Sequence, residues 1–344
     1  MRKLKIGLII LFFIVATFMI LEYSPRALQY GHENGWKTDD RPLIIPHGGA
    51  KVLYPENTIY SFKQTEMYDA FEIDLTLTKD DVLMTHHDLD LGLDLGESYQ
   101  ETLVRSLTYN EIIDLIKDND YPFVRNFEDI NGDKPYENIT DPLILAELVP
   151  AKLEDIFQLY PNKKYILEIK DTEIENDFKK AITLLIELIE DYELEENVIV
   201  SSFSDEVIET FQKESSIHTS TAWGGTLKFV LLSAFNVDFF YRPKQAALII
   251  PVYQELGESY AKYIKLLPSP IKDSFIKKGT SDMTDLGQKG IIEDAKRHNM
   301  ATIYWTINDE ETMLRLIELG VDGIITDRPD ILYNIYIEQG IINP

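Results

Sequence analysis

The sequence predicts an α/β fold, a (β/α)8 TIM barrel with an insertion after the second strand, preceded by one N-terminal transmembrane helix. Three observations predict it. From Pro42 onward, about eight short apolar runs alternate with longer amphipathic ones, the pattern of strands and crossover helices in a parallel barrel. No GxGxxG opens a first helix, so the usual sign of a doubly wound dinucleotide fold is missing. And the stretch from Asp88 to about Asp141 breaks the rhythm with acidic, turn-rich runs such as DLDLGLDLGES and EDINGDKPYEN, as an insertion capping one mouth of the barrel would.

The chain opens on MRKLK, followed by IGLIILFFIVATFMIL. A run of about sixteen mostly bulky apolar residues is at the short edge of what spans a bilayer. The basic flank stays cytoplasmic. Residues 1–22 are therefore expected to be a single-pass cell-membrane anchor with the rest of the chain extracytoplasmic. The alternative, a protein secreted after signal cleavage, finds no evident small-x-small site in LEYSPRALQYG. Residues 23–41 follow as a polar tether, and 42–340 as the barrel domain, with its insertion at about 89–141.

The expected strands are LIIP (43–46), FEIDLTL (71–77), KYILEIK (164–170), NVIVSSF (197–203), HTSTAW (218–223), AALIIPV (246–252), ATIYWTI (301–307) and DGIIT (322–326). Between most of them lie helical patterns: NTIYSFKQTEMY, EDIFQLY, ENDFKKAITLLIELIEDY, DEVIETFQKE, GIIEDAKRHN and EETMLRLIEL. The apolar stretch LKFVLLSAFNVDFFY (227–241) reads either as a helix packed on the barrel or as an apolar lip at its mouth.

Composition narrows the function. The chain carries 59 acidic against 33 basic residues, a formal net charge of −26. Such a surface repels nucleic acid, and it repels an anionic substrate unless a cation sits in the site. The absence of cysteine removes disulfide and thiolate chemistry.

Barrel active sites lie at the C-terminal ends of the strands. The first strand delivers His47 onto Gly48 and Gly49. In FEIDLTL, Phe71, Ile73, Leu75 and Leu77 point one way, while Glu72, Asp74 and Thr76 point the other. The run VLMT ends in His86-His87-Asp88, and Glu168 shares a face with Lys170. If those faces line the barrel interior, three carboxylates meet in a space of low dielectric, where a positive partner must accompany them. Oxygen ligands suit one hard divalent cation, Mg²⁺ or Ca²⁺, rather than zinc.

The motifs HGGA (47–50), YPENT (54–58), FEIDLTLTKDDVLMTHHD (71–88), YILEIK (165–170), SSF (201–203), WTIND (305–309) and DGIITDRPD (322–330) occur in an order that resembles the glycerophosphodiester phosphodiesterase family. The likeness runs from Pro42 to about Tyr336. It implies a metal-dependent barrel that hydrolyses glycerophosphodiesters to glycerol 3-phosphate and an alcohol. It places metal ligands at Glu72, Asp74 and Glu168 and catalytic histidines at His47 and His87. Strand parity alone does not choose between His86 and His87; the choice of His87 comes from the family's His-Asp pair. His47 is assigned as base and His87 as acid. In the family an arginine that binds phosphate follows the first histidine, and here Gly48 stands in its place. The resemblance therefore leaves the phosphate to the metal and Lys170, with Glu56 and Trp305 as further substrate contacts.

Lesser expectations are Asn57 as the cap of the first barrel helix, Asp327 as the start of the last helix, and structural roles for His218 and His298. The expected partners are a glycerophosphodiester or lysophospholipid substrate and the membrane, with no nucleic acid. The rival functions are a lysophospholipase D-like or cyclising phosphodiesterase and, in another class, a catalytically silent barrel that binds a phosphodiester.

Overall fold

In the computed structural model the described residues are 2–23, 34–255, 276–277, 280 and 283–343, without the side chains of 2–5 and 21–23. Most of the expected tether, 24–33, lies outside them.

All eight expected strands form. They are β1 (Leu43–Pro46), β2 (Ala70–Leu77), β4 (Lys164–Ile169), β5 (Val198–Ser201), β6 (His218–Thr219), β7 (Ala247–Pro251), β10 (Ala301–Trp305) and β11 (Gly323–Thr326). Two parallel arcs, β1-β11-β10-β7 and β2-β4-β5-β6, join through single parallel bridges, His47 to Glu72 and Ser220 to Ala247. The eight strands thus close into a barrel. β3 (Leu83–Thr85) pairs antiparallel with β2, and β8 (Tyr253–Glu255) forms a small antiparallel pair with β9 (Met283–Asp285).

The polar face of β2 is not a solvent face. All eight of its residues are buried, because a barrel strand is covered on both sides. Phe71, Ile73, Leu75 and Leu77 pack outward in one core with Phe62, Phe157 and Phe178, which leaves Glu72, Asp74 and Thr76 on the inner face. Ile45, Ile166, Ile199, Ala247, Ile303 and Ile325 belong to a separate cluster that also contains Trp36. Trp36 is fully buried, and its neighbour Asn34 donates to Ala246 O and Asn299 O at 2.8 Å. Those carbonyls precede β7 and β10, so the end of the expected tether is instead a plug under the N-terminal side of the barrel.

The six helical patterns become Ile59–Gln64, Leu153–Leu159, Glu175–Asp191, Asp205–Glu214, Lys289–Arg297 and Glu310–Leu319. Ser204 and Asp309 cap two of them by accepting backbone N–H bonds from Val207 and Thr312. The first is capped by Thr58 in a reciprocal box with Ser61, which corrects the expectation of Asn57. The insertion follows β3 and carries helices Gly92–Leu95, Tyr109–Asp118, Pro122–Asn126 and Pro142–Glu147, so it runs somewhat past Asp141. It has its own core of Leu91, Val104, Ile112, Ile113 and Ile116 on Met84.

Part of the stretch 227–241 packs on the barrel: Phe229 and Val230 of helix Trp223–Ala234 are buried. Phe235 and Phe240 remain exposed, but the cavity described below is lined by Trp223 and Thr226 and by no residue of 227–241, so the expected apolar lip is not placed at its mouth. The N-terminal helix Arg2–Tyr23 touches this region, Phe18 meeting Phe239 edge to face at 5.6 Å. Among the described residues no helix is long and apolar enough to cross a membrane, so the transmembrane helix expected at 1–22 lacks support.

Candidate active site

The register between β2 and β4 sets Asp74 beside Glu168, and the bridge from His47 to Glu72 brings the end of β1 to the same rim. Backbone pairing therefore assembles residues distant in sequence. His47, Glu72 and Asp74 offer potential ligand atoms within 4.8 Å of one another. Glu168, the third carboxylate expected to hold metal, stands outside that trio but shares a cation with it: Lys170 Nζ lies 2.8 Å from Glu168 Oε1 and 2.9 Å from Asp74 Oδ1.

One lysine does not balance this cluster. Burial, reinforced by the Asp74 charge, pushes the Glu72 carboxyl up to about 8. Burial acts on Asp74 in the same direction, but the Lys170 ammonium outweighs it and holds that carboxyl at about 2. Lys170 is itself raised, because Asp74 and Glu168 overcome its desolvation. Asp74 Oδ1 is buried and, though ion-paired, accepts no well-directed hydrogen bond. Buried carboxylate oxygens short of positive charge fit a hard cation.

The two histidines differ in their support. His47 Nδ1 lies 2.8 Å from Asp327 Oδ1, and Asn308 Nδ2 donates to Asp327 Oδ2 at 2.7 Å. Burial lowers the pKa of His47, but the bond to Asp327 and the nearby charges of Glu72 and Asp327 together outweigh it, and the net shift is upward. With Nδ1–H directed at the carboxylate, Nε2 is the nitrogen left to take a proton. Asp327 does not begin the last helix, which starts at Pro329 after Arg328. It is the candidate-site residue that the sequence reading passed over as a helix start, and its position directly after a barrel strand was the available signal.

His86 and His87 are separated by their surroundings. His86 is buried, its Nε2 2.6 Å from Asp94 Oδ2 and its Nδ1 2.6 Å from Asp88 O. His87 is half exposed and lines the cavity, with Nδ1 2.7 Å from Asp88 Oδ1. That cavity, about 320 Å³, is also lined by His47, Glu72, Glu168, Lys170 and Trp305. Trp305 stands edge to face against Phe203 at 5.7 Å, and Phe203 and Trp223 form an exposed apolar rim. Glu56 lines a neighbouring cavity instead. Asn57 does not cap a helix. Its Nδ2 donates to Asp74 Oδ2 at 3.0 Å, while Gly48 N donates to Glu72 Oε2 at 2.9 Å. His218 faces Glu196 at 3.7 Å, and His298 is buried against Asp238 at 2.8 Å, both away from the cavity.

Residues 47–331 match the model of the glycerophosphoryl diester phosphodiesterase family. A glycerophosphodiester phosphodiesterase of Caldanaerobacter subterraneus subsp. tengcongensis is 27% identical over 313 residues, 87% of this chain and 100% of the relative. A Rattus norvegicus protein named lysophospholipase D GDPD1 is 22% identical over 92% of this chain and 91% of its own length. Among solved structures, the glycerophosphoryl diester phosphodiesterase domain of a Mycobacterium tuberculosis protein superposes with a TM-score of 0.64 at 13% identity, covering 86% of this chain and 98% of that domain. An Oleispira antarctica phosphodiesterase in complex with the product sn-glycerol-3-phosphate superposes at 0.52 and 16% identity, covering 86% and 96%.

Proposed function

The chain belongs to the glycerophosphoryl diester phosphodiesterase family, a family of phosphodiesterases acting on glycerophosphodiesters, and from that premise we propose that it releases glycerol 3-phosphate and an alcohol by two-histidine acid/base catalysis. The observation that carries the proposal is the His47–Asp327 pair beside a buried carboxylate cluster, in a cavity that His87 also lines. His47 Nε2 takes the proton from the attacking hydroxyl; as the new P–O bond forms, the ester P–O bond breaks and His87 protonates the departing alkoxide. With water as the nucleophile this gives glycerol 3-phosphate directly; with the substrate's own glycerol hydroxyl it gives a cyclic phosphate, which a water then attacks, opening one ring P–O bond to give glycerol 3-phosphate. Each proton transfer contributes roughly 10²–10⁴-fold. Glu72, Asp74 and Glu168 would hold one Mg²⁺ or Ca²⁺, which when bound supplies charge neutralisation at the non-bridging oxygens.

The exposed apolar rim of Phe203 and Trp223 favours lysophospholipids as a second substrate class, since an acyl chain needs such a surface at the mouth. Related features support a reading of the location. The N-terminal helix exposes Leu8, Phe12 and Ile20, and Phe240 is exposed next to its contact with Phe239. We place the protein at the cell membrane through this helix, with the barrel extracytoplasmic. Protease accessibility on intact cells tests the placement; a barrel digested only after lysis overturns it.

The activity is tested with the full chain in detergent, supplied with Mg²⁺ or Ca²⁺, by coupled detection of glycerol 3-phosphate from several glycerophosphodiesters. Release from at least one is expected. No release from any, with either cation, overturns the reading.

A further inference from the structure

A second cavity of about 380 Å³ lies beside the catalytic one and shares Lys51 with it. One wall is the loop after β1, which supplies Lys51 and Glu56. The other is the insertion, which supplies Leu93, Phe123, Phe127 and Glu128. Phe123 and Phe127 meet edge to face, with centroids 6.4 Å apart. Glu56 Oε2 is buried without a hydrogen-bond partner, and its nearest cation, Lys51 Nζ, stands 3.9 Å away. Glu128 is largely exposed and loosely paired with Lys134 at 3.6 Å.

The two lysines of the catalytic cavity are not equivalent. Lys170 is committed to Asp74 and Glu168 at hydrogen-bond distance. Lys51 sits beyond that distance from Glu56, with a side chain 29% exposed, and so can turn toward an anion lying between the two cavities. When it does, Glu56 loses its counter-charge inside a partly aromatic pocket. Carboxylates and aromatic rings together recognise an organic cation.

We propose that the second cavity is the subsite for the leaving alcohol, that Lys51 at its threshold binds the substrate phosphate, and that the subsite selects an amino alcohol carrying a positive charge. The inference rests on the proposed diesterase activity and names its substrate class. A zwitterionic diester replaces the single Lys51–Glu56 pair by two, phosphate with Lys51 and ammonium with Glu56. A diester of an uncharged alcohol fills the first and leaves Glu56 buried without a cation.

The test compares kcat/KM of the full chain for glycerophosphoethanolamine and glycerophosphocholine with that for glycerophosphoglycerol and glycerophosphoinositol. A preference for the cationic pair of about 10-fold or more is expected. Phe123→Leu and Glu56→Gln should each reduce that ratio at least about threefold, chiefly through KM of the cationic diesters. Lys51→Gln should lower kcat/KM for all four substrates by similar factors. Both classes are assayed on one preparation, so loss through misfolding cancels in the ratio. Equal kcat/KM for the two classes in the wild type, or ratios unchanged in the first two variants, overturns the selective subsite. An unaltered Lys51→Gln enzyme overturns the phosphate contact. A wild type inactive on every diester fails the underlying activity instead.

Discussion

His47 and His87 face one cavity from two kinds of support. His47 stands at the end of a barrel strand, its side chain 16% exposed and bonded to a carboxylate that is 8% exposed. His87 stands on a loop leading into the insertion, 43% exposed, and its partner Asp88 is 44% exposed. The barrel half of the site is fixed by strand register and buried partners. The loop half is fixed by contacts that water competes for, where a hydrogen bond contributes less. Groups that must hold a cation and orient a base belong on the first half, and groups that must adapt to a variable alcohol belong on the second.

The largest expected effect breaks the barrel half. Chelator treatment should abolish turnover, and Mg²⁺ or Ca²⁺ should restore it. Full turnover in excess chelator, with elemental analysis showing no bound metal, would remove the cation from the reading. Next come the histidines. His47→Ala and His87→Ala should each lower kcat by roughly 10²-fold or more, with circular dichroism unchanged. A tenfold loss or less in either variant would take that residue out of acid/base catalysis.

Asp327 sharpens the comparison, because its carboxylate meets His47 and Asn308 and does not line the cavity, as a positioning group would. Asp327→Asn preserves the shape but lets the amide impose the wrong tautomer, so kcat should fall by about 10- to 100-fold with KM nearly constant. A change confined to KM would make Asp327 a substrate contact and not a positioning group.

His86 tests how the loop half is attached. Burial alone would lower its pKa, but the Asp94 carboxylate outweighs this and raises it to about 9, from an ordinary value near 6.5. A raised folded-state pKa gives stabilisation that is complete below about 6.5 and is lost as pH rises through about 9. The contribution is on the order of 3 kcal/mol at most. Denaturant titration should therefore show a pH-dependent loss of stability across that window in the wild type and a smaller one in His86→Ala. Matching pH profiles for the two proteins would show that the pair is not charged in the fold. His86→Ala thus weakens the seat of the insertion, and its effect on activity should remain well below that of His87→Ala.

Most strands were readable because they are short apolar runs bounded by turns; the two-residue β6 lies in the mostly polar HTSTAW and was readable only from its place in the alternation. Glu72, Asp74, Glu168 and Lys170 were readable as groups sharing a face, since parity is local. What pairs with what was not. Asp327 reaches His47 across 280 positions, and nothing local marks that contact. Trp36 looked like part of a polar tether because a single tryptophan has no periodicity; burial under the barrel gives it meaning. Asn57 looked like a cap, yet its left-handed backbone (φ 55°) turns the amide onto Asp74. Lys51 drew no notice, because its role depends on a cavity whose opposite wall is the insertion.

The smallest expected effect concerns Gly48, where the family arginine is replaced. Its neighbour Gly49 is closed to substitution, since an added Cβ would fall 2.3 Å from Ser61 Oγ. Gly48 is different. Its φ of +53° strains a larger residue, but an added Cβ meets only ordinary contacts, Asn57 Nδ2 at 3.4 Å and Glu56 Cβ at 3.5 Å. Arginine can therefore be accommodated at a cost of roughly 1–2 kcal/mol of backbone strain, on the side of the turn where Glu56 lies. If the phosphate-binding charge resides on Lys51, Gly48→Arg in the wild type adds a second cation near an occupied position and should change kcat/KM by no more than about threefold. In the Lys51→Gln background the same substitution should recover at least about threefold of the lost kcat/KM on glycerophosphoethanolamine. Failure to recover in the double variant, together with a gain from Gly48→Arg alone, would mean that the glycine records a lost contact that Lys51 never replaced. Loss of lysophospholipid turnover in Gly48→Arg, with small diesters unaffected, would instead show that the glycine keeps room for an acylated glycerol.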